Sequence, residues 1–430
     1  MRGELCGLHP SDWDIAPIQS VCERVISGGT PNRRQPVYYQ GGNWSWVKTQ
    51  ELQDTWIEDT EEHITDEAVA RSSAKILPKG TVLLALYGAT VGQLGLLRRP
   101  MTCNQACCAM IVDPQKADKR YLFYQLLAHR AQLRNLAVGA AQQNLSGQLI
   151  KSFQLPFPPV TEQSAIAAML GSLDDKIDLN RRMNETLGSM AQALFKDWFM
   201  DFGPTRAKVE GQAPYLAPEI WDLFPDSLDD EDKPVGWQEG TIGECFQLTI
   251  GQSPPGYTYN DDGNGLPFFQ GRTDFGFRFP KNRKYCTDPT RLAHAGDTLV
   301  SVRAPVGDIN MAWEECCIGR GVSAIRHNSA ARSFTYYSAW AIQQEIQRYE
   351  HTGTVFGSIN KKQFEQLKTI EPDRECIQTF EDYVGLIDDR VWANVAESRT
   401  LADTRDLLLP KLMFGEIRLC DVEKAVEAVL

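Results

Sequence analysis

Two short stretches of the sequence have the letters of catalytic motifs. Ser253–Gly256 (SPPG) is close to the Pro-Pro-aromatic motif of DNA amino-methyltransferases, but Gly256 stands where the stacking ring must be, and no glycine-rich cofactor loop follows a strand. Pro225-Asp226 and Glu231–Lys233 have the order of a metal-dependent nuclease site, which needs its carboxylates on adjacent strands. This stretch is a charged linker too short to supply them. The sequence therefore predicts no catalytic residues.

Cysteine and histidine usage indicates no metal site either. Cys103, Cys107, Cys108 and Cys316-Cys317 form no CxxC spacing, and no histidine cluster accompanies them. The odd total of 11 cysteines indicates free thiols in a reducing compartment. No apolar run is long enough to span a membrane, and the N-terminus lacks a signal peptide's apolar stretch. We predict a cytoplasmic protein with no metal and no cofactor on this chain.

Charge is unevenly distributed along the chain. The net charge of −12 argues at first sight against nucleic-acid binding. However, residues 1–160 carry +2 and residues 237–373 carry −1, whereas residues 161–236 carry −8 and residues 374–430 carry −5. The acid thus lies outside two nearly neutral segments that have local basic clusters, and clusters that face one way permit nucleic-acid binding.

Two long helical stripes repeat at a distance of about 214 residues. Apolar positions in each alternate at spacings of four and three, which is the pattern of a coiled-coil seam. The first stripe contains Ile166, Leu170, Leu173, Ile177, Asn180, Asn184, Leu187, Ala191, Leu194 and Trp198, and the second contains Phe380, Val384, Ile387, Val391, Asn394, Ser398, Leu401, Arg405, Leu408 and Leu412. Because the two stripes are in register, we predict an internal repeat.

The stripes and the Gly/Pro punctuation between them predict six parts. In the first segment, strand-like runs (Thr81–Leu86, Ala106–Val112) mix with one helical stretch (Lys119–Leu136). The fold class we predict is α+β, with two tandem α/β segments and two long paired helices in a pseudo-two-fold repeat. The parts are 1–160, the first globular segment; 161–203, the first long helix; 204–236, an acidic proline-rich linker; 237–373, the second globular segment; 374–414, the second long helix; and 415–430, a tail.

Five stretches of the sequence form a recognisable set: Gly139–Leu145 (GAAQQNL), Leu155–Gln163 (LPFPPVTEQ), Asp174–Ile177 (DDKI), Ala193–Phe202 (ALFKDWFMDF) and Leu407–Ile417 (LLLPKLMFGEI). With these stretches the chain resembles the specificity subunits of type I restriction-modification systems, and the resemblance covers essentially the whole chain. The second copy departs from the pattern, with Glu371-Pro372 and Glu375-Cys376 in place of the proline run and the Glu-Gln pair, which leaves the start of the second helix open by several residues.

The resemblance implies a non-catalytic DNA-specificity adaptor. In that family two target-recognition domains, here 1–160 and 237–373, each read one half of a bipartite site on double-stranded DNA. The two long helices form an antiparallel coiled coil, set the gap between the half-sites and dock two methyltransferase subunits, and restriction-translocase subunits join that core. The resemblance places S-adenosylmethionine, ATP and Mg²⁺ on the partner subunits. An enzyme would need the missing cofactor loop, and a purely structural scaffold would not need two unlike globular segments.

Polar and basic side chains on loops are the candidate base-reading residues. Arg and Lys suit guanine and Gln suits adenine in the major groove, although each one alone is more often a phosphate contact or a solvated charge. The candidates are Arg33, Arg34, Lys48, Thr49, Tyr87, Gln142 and Gln143 in the first segment, and Arg272, Arg278, Lys281, Arg283, Arg303 and Lys361 in the second.

Two features of the helices are predicted to have functions of their own. Asn180 and Asn394 lie at the helix midpoints, where an antiparallel pair brings them together, and a polar layer in an apolar seam fixes register; the alternative is that both face water. Apolar residues at the helix ends indicate a docking surface for the methyltransferase subunits; the alternative is packing against the chain's own globular segments. The docking candidates are Phe195, Trp198, Phe199, Leu409, Leu412, Met413 and Phe414.

Overall fold

The structure, a computed structural model, describes residue 10 and residues 12–137, 144–351 and 357–418. It divides into two compact units. Unit 1 comprises residues 1–180 and 396–430, and unit 2 comprises residues 181–395. The boundary falls inside both long helices, so each unit contains one globular segment and half of each helix. Within the described ranges no helix is both long and apolar enough to cross a membrane.

The first globular segment is a set of small sheets with short helices. The strands β2-β9-β6-β7-β4 form the largest sheet, β5-β3-β8 form a second, and β1 pairs with β10. Its elements are β1 (Asp14–Pro17), β2 (Cys22–Ser27), β3 (Trp44–Val47), β4 (Thr55–Ile57), β5 (His63–Ile64), α1 (Asp66–Arg71), β6 (Val82–Ala85), β7 (Leu94–Leu97), β8 (Thr102–Cys103), β9 (Cys107–Val112), α2 (Lys119–Ala128), α3 (Arg130–Asn135), α4 (Gly147–Ser152) and β10 (Gln154–Phe157).

The central strands and the main helix of this segment follow from local sequence. β6 (VLLA) and β9 (CCAMIV) are almost continuous apolar runs and are buried, as strands covered on both faces must be. Asp118 caps α2 by accepting hydrogen bonds from the backbone N–H groups of Arg120 and Tyr121. The single helix predicted over Lys119–Leu136 is interrupted at His129, whose ψ of 12° leaves the helical range, so two helices form.

The first long helix, α5 (Val160–Phe195), ends in a π-helical turn, Lys196–Met200. The following segment, predicted as an acidic linker, contains α6 (Gly203–Val209) and α7 (Pro218–Trp221). Its Ile220 and Phe224 are buried in unit 2. The proline and acid content indicated a solvated spacer, but these few apolar residues pack the segment into a core.

The second globular segment repeats the plan of the first. β12-β20-β17-β18 form one sheet, β13-β15-β14-β19-β16 another, and β11 pairs with β21. Its elements are β11 (Gln238–Thr241), α8 (Ile242–Cys245), β12 (Phe246–Ile250), β13 (Tyr259–Asn260), β14 (Leu266–Phe269), β15 (Tyr285–Cys286), β16 (Leu292–Ala293), β17 (Thr298–Ser301), β18 (Ile309–Met311), β19 (Cys316–Ile318), β20 (Val322–His327), α9 (Arg332–Ala341), α10 (Gln343–Gln347), α11 (Lys361–Glu365) and β21 (Lys368–Glu371), followed by the second long helix, α12 (Arg374–Met413).

The two long helices pair antiparallel within each unit. In unit 1, Asn180 Nδ2 donates to Glu397 Oε2 at 2.8 Å and to Ser398 Oγ at 3.3 Å. In unit 2, Asn394 Nδ2 donates to Asn184 Oδ1 at 2.8 Å. Asn184 lies four residues after Asn180 on α5, and its partner Asn394 lies four residues before Ser398 on α12. The same antiparallel register therefore holds within each unit. Asn180 and Asn394 are both buried, and the direct meeting of the two stays a prediction.

The paired aspartates of the repeat attach each helix to the globular segment of its own unit. In unit 1, Tyr124 donates to Asp174 at 2.6 Å, and Arg120 donates to both oxygens of Asp175 at 2.8 and 2.9 Å. In unit 2, Tyr337 lies 3.5 Å from Asp388 and Arg332 pairs with Asp389. The Asp-Asp motif is therefore a structural clamp that appears twice.

Candidate functional site

Four loops of unit 2 surround a cleft of about 510 Å³. They follow β12, β14 and β17 and connect β19 to β20, so the ends of neighbouring strands deliver them to one place. We call this the arginine cleft. The polar side chains that line it belong to Ser253, Gln270, Arg272, Thr273, Arg303 and Arg320.

The three arginines of the cleft differ in their partners. Arg272 Nε lies 2.7 Å from Asp308 Oδ2, which balances its charge. Arg303 and Arg320 are exposed, and among the residues described by the structure neither has a carboxylate within ion-pair distance. Two guanidinium groups therefore face the cleft without a counter-charge, in a chain with an excess of acid.

Backbone contacts fix the loops that carry these arginines. Val302 N donates to Gly321 O at 2.9 Å, and Ala304 N donates to Gly357 O at 3.0 Å. A Cβ atom on Gly321 would lie 2.3 Å from the carbonyl oxygen of Gln270, so only glycine allows the two loops to approach this closely. The arginine side chains thus project from a rigid base.

Unit 1 has the same loop arrangement with different side chains. Leu86 N donates to Ala106 O at 2.8 Å, as Val302 does to Gly321, and Tyr87 forms an isolated bridge with Asn144 as Arg303 does with Ser358. These contacts make Tyr87 the equivalent of Arg303. By the same pairing Gln105 is equivalent to Arg320 and Lys48 to Gln270, and Tyr87 and Gln105 are exposed.

Lys48 and Arg33 of unit 1 are held by carboxylates. Lys48 Nζ lies 2.8 Å from Glu61 and 2.9 Å from Glu62, and Arg33 pairs with Glu62 while its guanidinium lies 4.8 Å from the ring centre of Trp46. The hydrogen bond from Arg33, with help from Lys48, lowers the pKa of Glu62 to about 2. Because Lys48 is buried among these partners, the structure contradicts the prediction that it contacts bases; Arg33 is half exposed.

Arg278 of unit 2 was predicted as a base-reading residue, and this prediction is wrong. Its side chain is 3% exposed, with Nη1 at 3.1 Å from Asp388 Oδ1, and Nη2 donates to Tyr337 at 2.7 Å. Burial raises the pKa of Asp388, and Arg278 opposes the rise. Arg278 neutralises a buried carboxylate at the helix clamp and has no free face for a ligand.

The remaining candidates lie on the surface or outside the described residues. Arg283 pairs with Asp274 at 2.6 Å and Lys361 lies 3.5 Å from Glu365. Gln142 and Gln143 fall in the range that the structure does not describe. A role in base reading stays a prediction for Arg33, Arg34, Thr49, Tyr87, Arg272, Lys281, Arg283, Arg303 and Lys361.

Sequence reasoning missed Gln105 and Arg320. Arg320 lies in Gly319-Arg320-Gly321, a glycine-flanked basic residue between two apolar runs. That punctuation marks a tight loop and was the available signal. No glycine flanks Gln105, so the sequence has no comparable signal there. Gln105 is identified only by its structural equivalence to Arg320.

The predicted docking residues at the helix ends pack inside their own units. Phe195, Trp198 and Phe199 lie in the core of unit 2, in ring contact with Phe334 and Phe380. Leu409, Leu412 and Met413 lie in the core of unit 1. The prediction of a docking surface there is wrong for these six, because each globular segment covers the helix end of its own unit. Phe414 is partly exposed, with its ring 5.2 Å from that of His129.

Comparison with known proteins identifies the class. The family model of the type I restriction modification DNA specificity domain matches residues 10–188. The type I restriction enzyme MjaIX specificity subunit of Methanocaldococcus jannaschii is 26% identical over 96% of this chain and 95% of that protein. The HindI specificity subunit of Haemophilus influenzae is 25% identical over 62% of this chain and 70% of that protein.

A solved structure has the same fold. The crystal structure of the type I restriction-modification S subunit from M. genitalium superposes with a TM-score of 0.59 at 18% identity, covering 93% of this chain and 96% of that one. The chain is thus similar over almost its whole length to type I restriction-modification specificity subunits, and residues 10–188 match the model of their DNA specificity domain. This confirms the resemblance found in the sequence and the prediction of a recognition component in place of an enzyme.

Proposed function

We propose that the chain directs a type I restriction-modification complex to a bipartite DNA sequence, with residues 1–160 and 237–373 as the two target-recognition domains. Each domain reads one half of the site with the loops at its strand ends. The observation that carries this proposal is the arginine cleft, where Arg303 and Arg320 point uncompensated charge at a concave surface. Such groups bind a polyanion by releasing its condensed counterions.

The long helices are proposed to set the distance between the two target-recognition domains. The buried polar layers at Asn180 and Asn394 support this role, because a polar pair in an apolar seam penalises every other register. Register along the helices then determines the gap between half-sites. Added length in one helix alone would break these pairs.

The proposed docking surface for two methyltransferase subunits is the exposed apolar side of the helices. Tyr383 and Leu386 of α12 are 52% and 70% exposed in unit 2, and Leu407 is 61% exposed in unit 1. Exposed apolar side chains on an otherwise charged helix indicate a partner. Restriction-translocase subunits join through that core, and the S-adenosylmethionine, ATP and Mg²⁺ of the reaction belong to the partners, in the cytoplasm with the DNA.

Methylation mapping tests the proposal. The chain is co-expressed with its methyltransferase subunit, and methylation-sensitive long-read sequencing identifies the modified sites. We expect one asymmetric sequence in two parts, no methylation by this chain alone, and no binding of S-adenosylmethionine to it in calorimetry. Replacing residues 237–373 by those of a relative should change one half of the site. Micromolar binding of S-adenosylmethionine to this chain would contradict the adaptor role.

Helix length gives a second test of the same proposal. One heptad inserted at the middle of both α5 and α12 lengthens the spacer by about 10.5 Å, which is roughly three base pairs. We expect both half-sites to be unchanged and the gap to be longer. A changed half-site would show that the helices themselves help to read bases. The control carries the heptad in α5 alone and should fail to assemble.

The docking surface is tested with charged substitutions. Leu386→Asp, and separately Leu407→Asp, should weaken copurification with the methyltransferase subunit by about tenfold or more, since an apolar anchor at an interface contributes about 2 kcal/mol. Tyr257→Asp is the matched control, because Tyr257 is 87% exposed and lies outside the helices. Unchanged stoichiometry in both helix variants would place docking elsewhere.

A further inference from the structure

The two units present chemically different side chains at equivalent positions of the same loops. Unit 2 has Arg303 and Arg320 where unit 1 has Tyr87 and Gln105, and all four are exposed. The backbone contacts around them are repeated between the units. The difference therefore lies in what the loops can recognise and not in how they fold.

We infer that Arg303 and Arg320 read guanine in the half-site of unit 2, and that the half-site of unit 1 is read without an arginine at these positions. The inference rests on the proposed function. The planar guanidinium presents two parallel N–H donors that match the O6 and N7 acceptors of guanine in the major groove. Neither group is occupied by a carboxylate among the described residues, so both remain available for such a contact.

Rigidity favours base reading over phosphate contact for these two residues. Arg303 is fixed by its bridge to Ser358 and by the hydrogen bond from Ala304 to Gly357. Arg320 is enclosed by two glycines, and its own N–H lies 3.4 Å from Ser253 Oγ. Direct readout requires side chains that leave the backbone at a defined place, whereas phosphate contacts tolerate mobile ones. Arg272, which Asp308 neutralises, orders the same wall of the cleft.

The side chains at the equivalent positions of unit 1 are expected to prefer different bases. Gln105 can donate to and accept from the N7 and N6 positions of adenine, and Tyr87 offers a ring and one hydroxyl. Of the cations in the corresponding loops, Lys48 is held by Glu61 and Glu62, and Arg33 pairs with Glu62. The two half-sites should therefore differ in base composition at the positions that these loops contact.

The test is methylation mapping of the reconstituted complex with Arg303→Gln and Arg320→Gln, made singly. Each should reduce the preference for guanine at one position of one half-site by about 5-fold to 150-fold, in the same half for both variants. The other half should be unchanged. Arg374→Gln is the matched control, since Arg374 is an exposed arginine at the start of α12 and outside the loops that line the cleft, and it should leave every position unchanged. Gln105→Ala should alter the opposite half-site.

Separate outcomes overturn the inference and the proposed function. If both arginine variants methylate the wild-type sequence with uniformly lower efficiency, the two groups contact phosphates and the inference is wrong. It is also wrong if the half-site that responds contains no guanine in the wild type. In both cases the bipartite site remains and the proposed function stands. If the wild-type complex methylates no bipartite sequence, the proposed function itself fails. Thermal unfolding of each variant should match the wild type, because both side chains are exposed.

Discussion

Tyr87 in unit 1 and Arg303 in unit 2 leave equivalent strands, yet only the second brings a charge. The residue before each accepts and donates the same backbone hydrogen bonds: Leu145 N to Leu86 O at 2.9 Å, and Ile359 N to Val302 O at 3.1 Å. A backbone that is held by its own amides does not depend on the side chains that it presents. This separation lets the side chains on the loops of one globular segment change while the other segment and the backbone frame stay constant.

The helix clamps differ in a second way. Asp174 of unit 1 receives Arg405 from the partner helix at 2.7 Å, and that pair is about one-fifth exposed. Asp388 of unit 2 receives Arg278 from its own globular segment, and that pair is almost fully buried. The equivalent aspartate therefore pairs with an arginine from a different element in each unit. The buried pair of unit 2 has the larger desolvation cost.

Breaking the two clamps should give the largest effect. Asp388→Ala leaves Arg278 charged and buried, and should lower the free energy of unfolding by about 3–5 kcal/mol. Asp174→Ala leaves Arg405 where water can reach it, and should cost about 1–3 kcal/mol. Urea unfolding followed by tryptophan fluorescence measures both. The double variant Arg278→Met/Asp388→Leu should recover much of the loss. Equal losses for the two single variants would remove the contrast between the clamps.

Removal of the buried asparagine from each polar layer of the helix pair should lower the free energy of unfolding by a smaller amount than removal of the clamp aspartates. Asn394→Ala removes the donor to Asn184, which is 4% exposed, and should cost about 1–3 kcal/mol. Asn180→Ala removes a donor to Glu397, whose side chain is 45% exposed and can be hydrated, so we expect about 1 kcal/mol. Ser189→Ala on the exposed side of α5 is the control and should change little. A larger loss for Asn180→Ala would reverse the predicted order.

Acid should break the ion pair between Arg33 and Glu62 in unit 1, whereas Arg303 and Arg320 of unit 2 have no such pair to lose among the described residues. The hydrogen bond from Arg33 holds the pKa of Glu62 at about 2, below the usual carboxyl range. A lowered pKa stabilises the fold above the unfolded-state value near 4.5, and this stabilisation is lost as the pH falls toward 2. Glu62→Gln should therefore cost about 0.5–1 kcal/mol at pH 7, after screening, and nothing at pH 2. A cost that is independent of pH would contradict the ionic origin.

Thiol reactivity is a property in which the two units should agree. Burial raises the pKa of Cys108 in unit 1 and of Cys245 in unit 2 to about 12. Thiolates are the reactive form, so neither should react with a thiol reagent at pH 8 in the native state. The variant Cys6→Ser/Cys420→Ser removes the two cysteines outside the described residues and should react only after unfolding. Rapid native labelling of Cys108 or Cys245 would show local opening.

The helices could be predicted from sequence because their evidence is periodic and duplicated. The 214-residue repeat marks both stripes, and their bounds follow from the positions where the pattern stops. Side-chain environment was harder, since Arg278 and Arg303 are indistinguishable as basic residues on predicted loops. One neutralises Asp388 and the other faces a cleft. That difference depends on which distant carboxylate folding brings near, and no local spacing contains it.

The same limit explains the helix ends. Trp198 and Phe199 exceed what a two-helix seam needs, so the sequence indicated an external partner. In the structure the excess is covered by Phe224, Trp237 and Phe334 of unit 2. A large aromatic surface must be covered by other apolar groups. Only the tertiary structure decides whether another chain or a distant part of the same chain covers it.

The shared helices also constrain when the protein can finish folding. The core of unit 1 includes Leu409, Leu412 and Met413 together with strands from the first 160 residues. At roughly 5–20 residues per second of synthesis, the ribosome needs about 10–45 s after completing the first half of α5 before these side chains exist. During that interval the core of the first globular segment lacks these three side chains, and the last turn of α12 supplies them.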